Sequence, residues 1–265
     1  MLRKYGRKIP APLPPNRMLS RTAPNIPLVC DLRAYDGPIK DQQNLGSCTG
    51  HAFASTIEWI FRKYYGKKPI LSPLFVYSLE LIADNNFPND DGSDGATGCA
   101  VVVHNGCCED SLYPDASQKI MHPTPEMLAN AAQWKLMGKG GDGAYHGLRG
   151  SQTALSVLGD SVPWPVQMGF TVYSSFESDE VAKTGIYNPV TNEQVLGGHE
   201  VKLSGYDIGA TPTLRPANCP PAVLVQNSWG ESWGIGGYFW AALPVLDDSQ
   251  TDLKIVHAGA KWSAQ

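Results

Sequence analysis

A cysteine, a histidine and an asparagine, far apart in this chain, are the residue types of a nucleophile, its base and the group that orients the base. Cys48 lies in DQQNLGSCTGHAFASTIEW, residues 41–59. There a polar turn of Asp41, Gln42, Gln43 and Asn44, then Gly46 and Ser47, gives way to an apolar periodicity. Phe53, Ile57, Ile60, Phe61 and Tyr64 recur at the spacing of one buried helical face, which predicts a helix beginning at Cys48. Unpaired N–H groups and the dipole at a helix N-terminus favour an anion, so a thiol there ionises more readily, and the thiolate is the nucleophile.

A nucleophilic thiol needs a base, and the base needs a partner that orients it. The chain has six histidines. His51 follows Cys48 in the same helix and would lie beside it rather than in front of it, so a partly exposed helical role is expected. His104, His122, His146 and His257 sit in expected helix ends or loops with no flanking signal, and surface or satisfied-core roles are expected of them. His199 differs. It follows Gly197-Gly198, where the backbone can approach another lobe closely, and opens a strand-like run, HEVKLSGYD. Asn227 ends a second such run, AVLVQ, and begins NSWGESWG. An Asn carbonyl accepting an imidazole N–H fixes the tautomer that faces the thiol, and Trp229 is placed to shield that bond from water.

The elements that must position these residues follow from the pattern. The Cys48 helix ends at Gly66, behind Arg62, Lys63 and Tyr65. Ser72-Pro73 reads as N-cap and first residue of a second helix, LFVYSLELIADN. Asn85 to Gly98 is a loop rich in Asn, Asp and Gly without the ligand offsets or closing Glu of a calcium loop. Further helices are predicted over Cys99 to Asn105, Glu126 to Met137 and Ser151 to Leu158. From Trp164 the runs PVQMGFTVY, GHEVKLSGYDI, AVLVQNSWG and GGYFWAAL are strand-like. A helical front half and a β back half make this an α+β chain of two lobes, not an alternating parallel sheet.

Composition narrows the function. Apolar residues at 42% and charged residues at 17% describe a globular chain, and a net charge of −4 supplies no general field for nucleic acid. No apolar run is long enough to span a membrane. The N-terminus is basic but lacks the apolar region of a secretory signal, so a cytoplasmic chain, or one exported by another route, is expected. The six cysteines form no C-x-x-C pair, so no metal is expected; buried thiols or one or two disulfides are. Residues 1–25 carry Arg3, Lys4, Arg7, Lys8, Arg17 and Arg21 with no acidic residue, around Pro10, Pro12, Pro14 and Pro15. Such a stretch is either a flexible tail or a strand-like segment laid across the surface, and at roughly 3.3 Å per residue it is long enough to cross a cleft.

Several blocks together resemble the papain family of cysteine peptidases: DQQNLGSCTGHAFA, GGHEVKLSGYD, NSWGESWGIGGYF, IPLVCDLR and GCCEDSLYP. The likeness runs from about Ile26 to Trp240 and is closest to the short microbial and viral branch. It implies a papain-like fold with a helical lobe over about 45–115 and an antiparallel, barrel-like β lobe over about 116–265 plus 26–44. The active site would lie in the cleft between them, with residues 1–25 as an extension. It implies a thiol endopeptidase, active as a monomer on protein or peptide substrates without a cofactor; the alternatives are acyl transfer or end-trimming by the same triad, or a catalytically idle binding module on the same fold. Cys48 matches the nucleophile, His199 the base and Asn227 the orienting residue. Gln42 lies where the family keeps its oxyanion glutamine, with Gln43 as the competing assignment. Asp94, Gly95 and Ala96, with Gly198, fall where the family binds substrate backbone, and Trp229 supports the histidine. The departures are Thr49 in place of an aromatic, Leu45 in place of a disulfide cysteine, and Gly198 in place of Asp or Asn before the histidine. The extension is too short to resemble a folded propeptide.

Overall fold

The computed structural model describes residues 4–20, 25–138, 141–190 and 192–257; Arg3 and Arg21 of the basic stretch lie outside them. Three helices carry the front half: α1 (Cys48–Tyr65), α2 (Pro73–Ala83) and α3 (Gly95–Asn105). The predicted face of α1 is buried, with Phe53, Ile57 and Ile60 fully enclosed and Phe61 nearly so. Gly66 stops the helix in the left-handed region at φ 67°, its N–H returning to the Phe61 carbonyl. Ser72 caps α2 by accepting from Phe75 N at 3.1 Å. The third helix starts earlier than Cys99, because Asp94 accepts from Ala96 N and Thr97 N at 2.7 and 3.0 Å and so caps it at Gly95. Three shorter helices follow: α4 (Pro125–Ala131), α5 (Gly150–Leu158) and α6 (Asp179–Thr184). The helix expected over Glu126–Met137 therefore ends early, in a 3₁₀ turn at Ala132–Trp134.

The strands before residue 150 are β1 (Met18–Leu19), β2 (Val29–Asp31), β3 (Met137–Gly138), β4 (Gly141–Asp142) and β5 (Ala144–Leu148). Later come β6 (Val166–Tyr173), β7 (Ile186–Tyr187), β8 (Val195–Asp207), β9 (Ala222–Gln226), β10 (Tyr238–Ala242) and β11 (Asp252–His257). The main sheet runs β1-β5-β11-β6-β8-β9-β10-β7, with β2 added along β8, and is mostly antiparallel. β5 and β11 were not foreseen as strands. They place His146 and His257 on neighbouring strands rather than in loops.

α1 packs directly on β8, the strand that carries His199. The helix also meets β6 through a buried polar contact, in which Gln167 donates to the Ala52 carbonyl of α1 at 3.1 Å. Lys40, on the approach to α1, reaches Glu58 at 2.8 Å. A buried charge of this kind persists only with a partner, so the pair fixes the approach loop against the helix. All six cysteines are free thiols. No helix among the described residues is long and apolar enough to cross a membrane, and no cluster of metal-ligating side chains occurs among them.

Candidate active site

Cys48 opens α1, fully buried, where backbone N–H groups of Glu200 and Gly6 donate toward its sulfur. Glu200 directly follows His199, so the strand that carries the imidazole approaches the thiol across the contact of α1 with β8. Burial pushes the Cys48 thiol up to about 12, against those two donors. His51 is 1% exposed rather than partly open, because its ring is tied to the Ser47 carbonyl (2.8 Å) and to Asp115 (3.2 Å). Both nitrogens of that ring are thereby engaged.

The imidazole of His199 is fully buried, and its Nε2 lies 2.8 Å from Asn227 Oδ1. The same Oδ1 accepts the Ser228 backbone N–H at 2.9 Å. The Ser228 N–H is a donor and so faces the oxygen of the Asn227 amide rather than its NH2; that oxygen accepts from His199 Nε2, which then carries the proton. Nδ1 is then the basic nitrogen. Trp229 lies over the ring with centroids 5.1 Å apart and planes 32° from parallel, and Phe176 packs behind Trp229 at 5.1 Å.

Gln42 is held by the Asn227 block. Its backbone N–H donates to the Ser228 carbonyl at 2.9 Å, its Oε1 accepts from Ser228 Oγ at 2.7 Å, and its Nε2 donates to the Leu45 carbonyl at 2.9 Å. The remaining amide proton faces the Lys4 carbonyl, 3.5 Å away. Gln43, by contrast, is exposed and sits in the left-handed region at φ 49°. Ser228 anchors the Gln42 amide, and its signal in the sequence is its place inside the NSWG block.

Residues 4–8 run across this site. Gly6 O accepts from Ser93 N at 2.8 Å, Lys8 N donates to Ser93 O at 2.7 Å, and Arg7 N donates to Gly198 O at 3.2 Å. The Tyr5 ring approaches His199 and Trp229, with centroids 6.4 and 6.3 Å apart. The approach is as close as backbone allows: a Cβ on Gly6 would fall 1.7 Å from the Gly46 carbonyl oxygen, and one on Gly92 would fall 1.9 Å from the Gly6 oxygen. On the helical side the backbone that pairs with the tail is Ser93. Asp94 is the cap of α3, and Gly95 and Ala96 form its first turn. On the sheet side the residue that pairs with the tail is Gly198.

A family model described as papain family cysteine protease matches residues 26–246. An uncharacterised peptidase C1-like protein of Acanthamoeba polyphaga mimivirus is 29% identical over 211 residues, covering 75% of this chain and 62% of the viral protein. Cathepsin C of Schistosoma mansoni is 29% identical over 249 residues, covering 85% of this chain and 50% of its own length. The chain thus spans between half and two thirds of these two relatives. Among solved structures, xylellain, a cysteine protease from Xylella fastidiosa, superposes with a TM-score of 0.78 at 23% identity over 96% of each chain. A digestive procathepsin L 3 of Tenebrio molitor gives 0.66 at 18% identity, over 92% of this chain and 74% of that one. At these identities the two structures establish the fold, which is the α+β papain fold.

Proposed function

The chain belongs to the papain family of cysteine proteases, and from that premise we propose that it is an endopeptidase acting through Cys48, His199 and Asn227. The observation that carries the reading is the His199–Asn227 bond, roofed by Trp229, at the buried start of α1 where Cys48 lies. The Cys48 sulfur attacks the carbonyl carbon of a peptide bond, its proton held by His199 Nδ1. The carbonyl oxygen takes the negative charge and is met by Gln42 Nε2–H and the Cys48 backbone N–H. As the C–N bond breaks, His199 gives its proton to the departing amine, leaving a thioester on Cys48. His199 then takes a proton from water, whose oxygen attacks the thioester carbonyl; the C–S bond breaks, the acid leaves and His199 returns the proton to the Cys48 sulfur.

On this reading residues 26–265 are the peptidase domain, with a helical lobe near 45–115 and a sheet lobe from 116 onward together with 26–44. Residues 1–25 are an extension whose residues 4–8 hold the site latent. Protein or peptide substrates replace that segment in the cleft. Cys48→Ala is expected to abolish both peptide hydrolysis and covalent labelling by a thiol-directed epoxide, measured on the full chain. Hydrolysis unchanged in that variant would overturn the assignment.

A further inference from the structure

The Asn227 amide uses only one of its two ends in the chemistry above. Its Oδ1 is shared between His199 Nε2 at 2.8 Å and the Ser228 N–H at 2.9 Å. Its Nδ2 is equally buried and has no partner among the described residues. A buried donor left unpaired carries its whole desolvation cost, and here the donor belongs to the group that orients the base. Asn227 lines a small cavity between α1 and the strands β8 and β9, about 10 Å³ in volume. That is roughly the space of one water molecule.

The polar side chains around this cavity sort by what they already hold. Both nitrogens of His51 are engaged, Ser228 Oγ is given to Gln42, and the Lys202 ammonium is paired with Asp36. Gln226 is different. Its Nε2 donates to the Gly37 carbonyl at 3.3 Å, while its Oε1 is buried without a partner. With the nitrogen so placed, the oxygen is the end left for the cavity. Gly37 follows Asp36, which holds the buried Lys202, so the Gln226 amide is tied to a fixed part of the fold. Ser55, one turn beyond His51 on α1, adds a hydroxyl that can donate or accept. One donor, one acceptor and one hydroxyl meet the needs of a buried water, which takes two to four such partners, whereas an apolar cavity stays dry.

A water that accepts from Asn227 Nδ2 and donates to Gln226 Oε1 completes the bonding of the Asn227 amide and fixes its plane. The His199 ring is held to that plane through Oδ1. An amide turned over would offer its NH2 to His199 Nε2, and the ring proton would then have to sit on Nδ1, the nitrogen that must take the thiol proton. We propose that Gln226, assisted by Ser55, is a positioning residue of the triad, holding the Asn227 amide through one buried water and thereby the tautomer and tilt of His199. Gln226 acts only through Asn227. This rests on the catalytic reading above.

The test uses the full chain throughout, so any cover given by residues 1–25 is common to every variant and cancels in the ratios. Gln226→Met keeps the length of the side chain and removes its acceptor. It is expected to lower kcat on a peptide substrate about tenfold, the effect of one buried hydrogen bond, with KM changed less than about twofold. Ser55→Val is expected to lower kcat by a smaller factor, and Ser55→Thr, equal in volume but with the hydroxyl kept, to restore most of it. The proton spectrum of the Cys48→Ala chain supplies a reading without turnover. Its His199 Nε2–H is expected to give a resolved downfield resonance that broadens by exchange with water once Gln226→Met is added. An unchanged kcat, a loss confined to KM, an unaltered resonance, or equal losses in Ser55→Thr and Ser55→Val overturns the inference while leaving the catalytic reading intact. Should Gln226→Met fail to fold, the two Ser55 variants decide by themselves. Absence of both hydrolysis and epoxide labelling in the parent chain overturns the catalytic reading, and the inference falls with it.

Discussion

Gln42 shows how a single side chain is committed before a substrate arrives. Three of its polar groups are occupied by Ser228 and Leu45, and only one amide proton is left to face the place where a carbonyl oxygen stands, at present that of Lys4. A donor fixed in this way costs no reorganisation when charge develops, which is why loss of one such donor typically lowers the rate by about 10²–10³. Gln42→Ala, in a chain whose tail has been loosened, is expected to lower kcat/KM by that amount with folding unchanged by circular dichroism. Gln43→Ala, at an exposed turn position, is expected to leave it unaltered. A loss with Gln43→Ala and none with Gln42→Ala would reverse the assignment. The spacing of Gln42 to Cys48 favoured this residue through resemblance alone. What the sequence could not supply was the burial that separates two adjacent glutamines.

At the scale of elements, legibility followed the range of the interactions. The α1 and α2 helices are written in local periodicity and caps, and both lie where the pattern put them. The start of α3 is hidden in the sequence because Asp94 lies in a run rich in Asn, Asp and Gly, although an Asp before a small-residue run is also an N-cap. β5 and β11 escaped notice because AYHGL and DLKIVH mix glycine, histidine and charge, and they become strands only by pairing with each other and with β6. That pairing brings His146 Nδ1 to 2.9 Å from His257 Nε2, with the rings stacked at 5.1 Å. Burial, and then the neighbouring imidazole, lower His257 to about 4; burial and Arg17 lower His146. An unfolded histidine takes up its proton near about 6.5, so as pH falls below that value the unfolded chain binds a proton that the folded one refuses. Stability is thus full above about 6.5 and lost as pH falls toward 4, by up to about 3 kcal/mol for His257. Denaturant melts at pH 7 and pH 5 should show this loss, and His257→Leu should shrink the difference between the two pH values even though it lowers stability at both. An unchanged pH difference in that variant would remove the pair from the account.

For the molecule as a whole, the N-terminal segment joins the two halves of the site. Lys4 pairs with Asp90 at 2.6 Å, and Gly6 and Lys8 pair with Ser93 on the helical side. On the sheet side Tyr5 reaches Glu177, Arg7 reaches Gly198, Glu200 and Asp252, and Met18 and Leu19 extend the sheet beside β5. On the proposed reading the segment keeps Cys48 out of water; burial pushes the thiol up to about 12, which leaves it protonated at neutral pH. The latch turns on Gly6, since any side chain there would collide with the Gly46 carbonyl, a backbone atom that cannot turn aside. Gly6→Val in the full chain is therefore expected to lift the segment while leaving the catalytic residues untouched. If the latch is worth about 1.4 kcal/mol or more, hydrolysis of small peptides rises at least about tenfold, because the competent fraction scales the apparent affinity. Alkylation of Cys48 by iodoacetamide should also become faster at neutral pH and show its rise at lower pH than in the parent chain. A folded Gly6→Val chain with unchanged hydrolysis and an unchanged alkylation profile would show that residues 4–8 do not hold the enzyme latent.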